Sequence, residues 1–313
     1  MKLDRPFTRC LIASGAIAFT TLMALPFAQA ASKPRTAEAA FSVRLEDQIL
    51  ATLRYLPVSF KPTVRSTTTT TTSTTTTTST TTTTTTTTPV TTTSVTTTTM
   101  QPTTTTTTKA KTKAKTKRVN PTKLLSGTFP WRFHALPGTL RELWRVGTNN
   151  VVLQGALMRF QSVHGLATTG VMDALTWKTI TQAALRDQRD PMSYNVVVVN
   201  QALPQKLDLY QNGKVTFVTL VNTGISVAPT ENGTYPVYVR YVTTTMSGTN
   251  PNGSHYSDPG IPWVSYFHGG DALHGFIRAS YGWPQSLGCV EMPFADAQSL
   301  WPHTPIGTLV TVL

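Results

Sequence analysis

Four regimes of apolar and polar positions follow one another along the 313 residues. From Leu11 to Phe27 the chain is mostly apolar. It is preceded by Lys2, Arg5 and Arg9 and followed by Ala28-Gln29-Ala30, a small-x-small tripeptide. That order predicts a secretory signal peptide over residues 1–30, cut after Ala30. Ser14, Thr20 and Thr21 interrupt a run already short for a bilayer span, so no stable membrane span is expected after cleavage. In residues 31–65, Leu45, Ile49, Leu50 and Leu53 recur at helical spacing. They predict a short helix in a segment too small to form a core alone. Residues 66–121 have no apolar period. Positions 67–88 are 20 Thr and 2 Ser, and with no face to bury they cannot offset their ordering entropy. A disordered Thr-rich and Lys-rich linker is expected there.

Helical spacing returns in residues 124–187. Thr148 or Asn149 can cap a helix through Val152, Leu153, Ala156, Leu157 and Phe160. It ends at His164-Gly165, where glycine suits the left-handed C-terminal position. Asp173 can cap a second helix through Leu175, Thr176, Ile180 and Leu185. From Tyr194 the pattern becomes that of strands: Val196–Val199, Lys206–Tyr210, Val215–Val221, Gly233–Tyr241 and Thr308–Leu313. Asn212-Gly213 is a strong hairpin signal. Only Phe294–Trp301 reads as a helix here. Residues 193–313 are therefore expected to be a mostly antiparallel β domain.

The net charge of +13 resembles a nucleic-acid signal until it is mapped. Six of the basic residues lie in KAKTKAKTKR at 109–118, whereas residues 119–313 carry 12 basic and 10 acidic residues. The expected folded part is nearly neutral, which argues against a nucleic-acid partner. The cysteine count points elsewhere. Loss of residues 1–30 removes Cys10 and leaves Cys289 alone, so it is either an inert buried thiol or a reactive one.

The neighbours of Cys289 favour reactivity. In ALHGFIRASYGWPQSLGCVEMP, His274-Gly275 precedes Ser286-Leu287-Gly288-Cys289. An imidazole can take the thiol proton. Gly288 permits a sharp turn and close backbone approach, and the N–H groups of Leu287, Gly288 and Cys289 could face a developing oxyanion. His255, His268 and His274 lack companions at metal-site spacing, so no metal or cofactor is expected.

These residues resemble the L,D-transpeptidases of the YkuD type, in which a His is followed after a gap by Ser/Thr-x-Gly-Cys and an apolar residue, here Val290. KLDLYQNGKVTFVTLVNTG and TENGTYPVY resemble two further blocks of that family. Upstream, FQSVHGLATTGVMDALTW resembles the peptidoglycan-binding repeat. The resemblance implies a YkuD-like β-sandwich catalytic domain over 193–313, behind a small α-helical module. It implies Cys289 as nucleophile, His274 as general base, the Gly275 backbone as orienter of the imidazole, and Ser286, Leu287 and Gly288 as the oxyanion turn. It also implies peptidoglycan stem peptides as substrate and a location at the cell wall, outside the cytoplasmic membrane. Two positions depart from the family: Leu287 stands where His is common, and Glu291 where Arg or Asn is common. A carboxylate near the sulfur would disfavour its thiolate, and Arg278 is the candidate to compensate. The competing reading is a non-catalytic wall-binding protein with a degenerate transpeptidase-like domain.

Overall fold

The structure is a computed structural model that describes residues 11–13, 41–63, 120 and 122–313. The expected cleavage site at Ala28-Gln29-Ala30, the Thr-rich tract and the basic run lie outside the described residues.

Two five-stranded sheets and a layer of helices make up the described fold. The first helix, α1, is Val43–Thr52, and the chain continues into a short strand, β2 (Lys61–Pro62), after β1 (Leu11–Ala13) near the start. Then come β3 (Gly127–Thr128), α2 (Gly138–Glu142), α3 (Val151–Val163) and α4 (Ala174–Leu185). Asn150 caps α3 by accepting from Leu153 N–H, one residue after Asn149 and two after Thr148, the expected caps. Asp173 caps α4 by accepting from Thr176 N–H at 2.6 Å.

Residues 31–65 are too short for a core of their own, and the structure gives their described part, 41–63, a share in another. Ile49, Leu50, Leu53, Tyr55, Leu56 and Val58 are fully buried in one cluster with Leu140, Val152, Leu153, Leu157, Phe160 and Ile180. The segment and the 124–187 module are thus one helical layer rather than two neighbours in sequence. β2 pairs with β3, and Ser59 and Arg132 donate their N–H to Pro130 and Pro57 respectively. Thr63, the last described residue before the Thr-rich stretch, donates its N–H to the Ser126 carbonyl beside this two-stranded sheet.

Nor is there a packing boundary between helices and β domain. β4 (Asn195–Asn200), β5 (Lys206–Gln211), β6 (Lys214–Leu220), β7 (Gly233–Pro236) and β12 (Leu309–Val312) form one sheet, ordered β6-β5-β4-β12-β7. Asn212 and Gly213 both have positive φ, as the two-residue hairpin between β5 and β6 requires. β4 reads Asn-Val-Val-Val-Val-Asn because both its faces are covered. Val196 and Val198 join Leu309 in the helical core, while Val197 and Val199 face the second sheet. α3 approaches so closely that a Cβ on Gly155 would stand 2.7 Å from the Gly307 carbonyl.

The second sheet holds β8 (Val239–Thr249), β9 (His255–His268), β10 (Asp271–Gly275) and β11 (Val290–Met292), with the backbone of β1 on the outer side of β8. Cleavage after Ala30 would remove β1 and leave β8 as the edge. The β10–β11 pair is parallel, as is β4–β12, and the other pairings are antiparallel. α5 (Phe294–Leu300) follows β11 and closes the core with Ala297 and Leu300. The fold class is mostly β, two five-stranded sheets packed on a shared core. No helix among the described residues is long and apolar enough to cross a membrane.

α1 also buries two adjacent carboxyls. Burial pushes Glu46 up to about 7, helped by Asp47. It pushes Asp47 up to about 6, opposed by the Gly147 N–H at 2.6 Å and by Arg44. Their unfolded values are 4.5 and 3.8. The folded state therefore holds protons that the unfolded state releases, and stability falls as pH rises through these folded values. Glu46→Gln is expected to raise Tm near pH 8 and to flatten its pH dependence between 4.5 and about 7. Identical Tm–pH profiles for the variant and the wild type would contradict this.

Candidate active site

β10 is paired on both sides, to β9 and to β11, so its side chains are held in register. Leu273 lies opposite Val290 and both enter the inter-sheet core; His274 lies opposite Glu291. Strand alternation then puts His274 and Glu291 on the other face, with Cys289, two residues before Glu291. All three line one cavity of about 290 Å³.

The imidazole has a defined polarity. His274 Nδ1 lies 3.0 Å from the Gly275 carbonyl. A carbonyl only accepts, so Nδ1 carries the proton and Nε2 keeps its lone pair. Burial holds the His274 pKa below the usual 6.5, against weaker upward contributions from Gly275, Glu291 and Asp258. The ring is therefore neutral at neutral pH and able to accept a proton. A Cβ at Gly275 would meet Phe294 at 2.8 Å, so α5 fixes the backbone beneath the ring.

The cysteine sits in a turn closed from within. Ser286 Oγ donates to the Cys289 carbonyl at 2.5 Å and accepts from Gly288 N–H at 3.2 Å. Gly288 has φ +115, and a Cβ there would run into the Asp271 carboxylate. The Gly288 carbonyl accepts from Thr230 Oγ1 at 2.7 Å. The expectation that Gly288 N–H faces an oxyanion is corrected: Ser286 Oγ already occupies it. Leu287 lines the cavity, and its N–H has no partner among the described residues. The Cys289 thiol is directed at the Gly270 carbonyl, 3.8 Å away.

Glu291 is buried, and it is compensated. Arg278 donates to it twice, Nε to Oε2 at 2.7 Å and Nη2 to Oε1 at 2.8 Å, while its guanidinium lies 4.7 Å from the centre of the Phe276 ring. This bidentate bond raises the Arg278 pKa and ties the carboxylate's charge to a cation rather than leaving it to act on the sulfur. Arg278→Ala is expected to cost up to about 3–5 kcal/mol by leaving a buried charge unpaired. The Arg278→Ala/Glu291→Gln double variant should recover most of that in thermal melts. A double variant as unstable as the single would show that Glu291 does not need its partner.

Other histidines are engaged elsewhere. His268 stacks on Tyr235 at 4.1 Å and approaches Asp271 at 3.5 Å; His255 pairs with Thr249. Among the described residues, no group of three or more His, Cys, Asp or Glu could hold a metal ion.

Two positions of consequence were not visible in the motif. Asn222 is fully buried. Its backbone bonds twice with Glu291, and its side chain holds Ser280, Gly282 and Trp283. It thus ties the middle of the loop that carries Arg278 and Cys289 to the strand that follows it. A polar Asn-Thr pair directly after a β-branched run was the available signal. The second is Asp258, which reaches the cavity from β9.

Residues 194–312 match the family model of the L,D-transpeptidase catalytic domain, YkuD. This segment is a YkuD-type catalytic domain. Similar solved structures include an L,D-transpeptidase from Mycobacterium smegmatis, at 16% identity and TM-score 0.35, covering 39% of this chain and 59% of that one. An Enterococcus faecium L,D-transpeptidase is 20% identical with TM-score 0.36, covering 44% and 62%. The catalytic domain of an E. faecium L,D-transpeptidase is 24% identical with TM-score 0.35, covering 40% of this chain and 100% of that domain. The chain thus spans about three fifths of the two longer structures. No curated protein matches it. The YkuD-type domain begins at β4, the strand whose outer face the helices cover.

Proposed function

We propose that the protein is an exported peptidoglycan L,D-transpeptidase acting through a cysteine acyl-enzyme. The observation that carries this is the β10–β11 register. It sets His274, anchored at Nδ1, and Cys289 on one face of one cavity. The thiol proton passes to His274 Nε2 as sulfur attacks the carbonyl before the terminal D-alanine of a tetrapeptide stem. Leu287 N–H donates to the oxyanion that forms. The C–N bond then breaks, and the departing amine of D-alanine takes the proton from His274. An acceptor amine attacks the thioester, loses a proton to His274, and displaces the thiolate, which is reprotonated. The product is a cross-link between two stems.

The helical layer behind β4 is proposed to hold the wall polymer, and the apolar run ending at Ala30 to direct export. The degenerate, non-catalytic reading drew on Leu287 and Glu291. Leu287 retains its backbone donor, and Arg278 neutralises Glu291. Incubating the protein with a tetrapeptide stem and an amine acceptor tests the proposal. Release of D-alanine with formation of the cross-linked dimer supports it. Tight binding of sacculi with neither product would establish the binding-protein reading instead.

A further inference from the structure

The charges around the cavity do not cancel. Arg278 and Glu291 neutralise one another in a bidentate pair. His274 is neutral, because its burial disfavours the imidazolium. The remaining charged residue on the lining is Asp258. It lies on β9 across from Met246 of β8, and both side chains face the cavity. The Asp258 side chain is half-buried and makes no hydrogen bond or ion pair among the described residues. Its charge acts on both Arg278 and His274, which line the same cavity. The cavity that Cys289 lines therefore presents one uncompensated carboxylate, with Met246, Ile261 and Phe276 also on its lining. Partial desolvation strengthens the attraction of such a group for a cation.

We infer that Asp258 is the specificity residue that selects a primary ammonium, that of the acyl acceptor, in the cavity it shares with Cys289. The ligand class is an alkyl ammonium on a stem peptide. Naming it the acceptor rests on the acyl-transfer reading; the ammonium site itself rests on the cavity. Arg278 cannot serve in its place, since its sign is wrong and its Nε and Nη2 are engaged by Glu291 and the Gln285 carbonyl. The ammonium gives up one proton to solvent before its nitrogen attacks, so Asp258 selects and positions without entering the covalent step.

The test separates the two claims. Full-length protein carrying Cys289→Ala, which blocks turnover, is titrated with a stem peptide bearing a side-chain primary amine and with the same peptide N-acetylated. The expected result is at least about tenfold tighter binding of the amine at low salt, shrinking at high salt. Adding Asp258→Asn should remove that preference, and Asp258→Glu should retain part of it. In the otherwise native protein, Asp258→Asn should raise the KM for a charged acceptor by about tenfold or more while slowing thioester formation far less. With hydroxylamine, largely uncharged at pH 7, the variant and its parent should transfer alike. An unchanged preference in Asp258→Asn, or equal weakening of both peptides, would overturn the assignment. An Asp258-dependent preference without turnover in the native protein would keep the ammonium site and remove the transpeptidase reading. Turnover indifferent to Asp258 would do the reverse.

Discussion

Deleting residues 1–63 is expected to unfold the helical layer, although the deleted stretch lies outside residues 124–187. Six side chains of that stretch, Ile49, Leu50, Leu53, Tyr55, Leu56 and Val58, are fully buried against α3 and α4. Each fully buried side chain of this kind contributes about 1.5–3 kcal/mol. Their joint loss is on the order of 10 kcal/mol, comparable with the whole stability of a typical domain. Polar anchors go too: Asp47 on Gly147 N–H, and Gln48 on Leu125 N–H and the Lys123 carbonyl. Excising 67–118 instead, with a short glycine bridge, should leave the melting temperature within about 2 °C. That excision touches none of these contacts, and β2 and β3 already pair where the chain leaves and returns. Circular dichroism melts of the two deletions read the difference. An unshifted transition in the 1–63 deletion would mean that α1 contributes little.

At the candidate active site, the largest effects are expected at Cys289 and His274. Cys289→Ala and Cys289→Ser should both abolish the acyl-enzyme, because a hydroxyl is a far poorer nucleophile near neutral pH. His274→Ala should slow acylation by about 10²–10⁴, the usual contribution of a positioned general base. The acid limb of the wild-type rate should have its midpoint below 6.5, since burial lowers the His274 pKa and only the neutral ring accepts a proton. His268→Ala should cost much less, because that ring stacks on Tyr235 beside Asp271. A pH–rate series on the three histidine backgrounds checks this. Equal losses for both histidine variants would move the base to His268.

What the sequence conveyed was what is local. Asp173 caps the next turn, Asn212-Gly213 turns on two positive φ values, and His274 and Cys289 occur in one 16-residue motif. What it concealed depends on distant partners or on broken patterns. β9 contains Pro259, Gly260 and Pro262, which argue against a strand, and Trp263 adopts φ +57. The spacing of Leu45, Ile49, Leu50 and Leu53 marked a helix correctly, but its burial depends on residues about a hundred positions away. Gly288 could be read as a turn glycine, yet not that Ser286 Oγ would occupy its N–H. Likewise Arg278 and Glu291 were candidates by proximity in sequence; their bidentate bond is a property of the loop that Asn222 pins.

The account depends most on Cys289 as the atom that takes the acyl group. Intact-mass spectrometry of the full chain, mixed with a tetrapeptide stem and no acceptor, measures this directly. The predicted result is a protein heavier by the stem less one D-alanine, with the added mass on the peptide containing Cys289 and lost on adding hydroxylamine. An unmodified mass alongside released D-alanine, or an adduct mapped to Ser286, would contradict it.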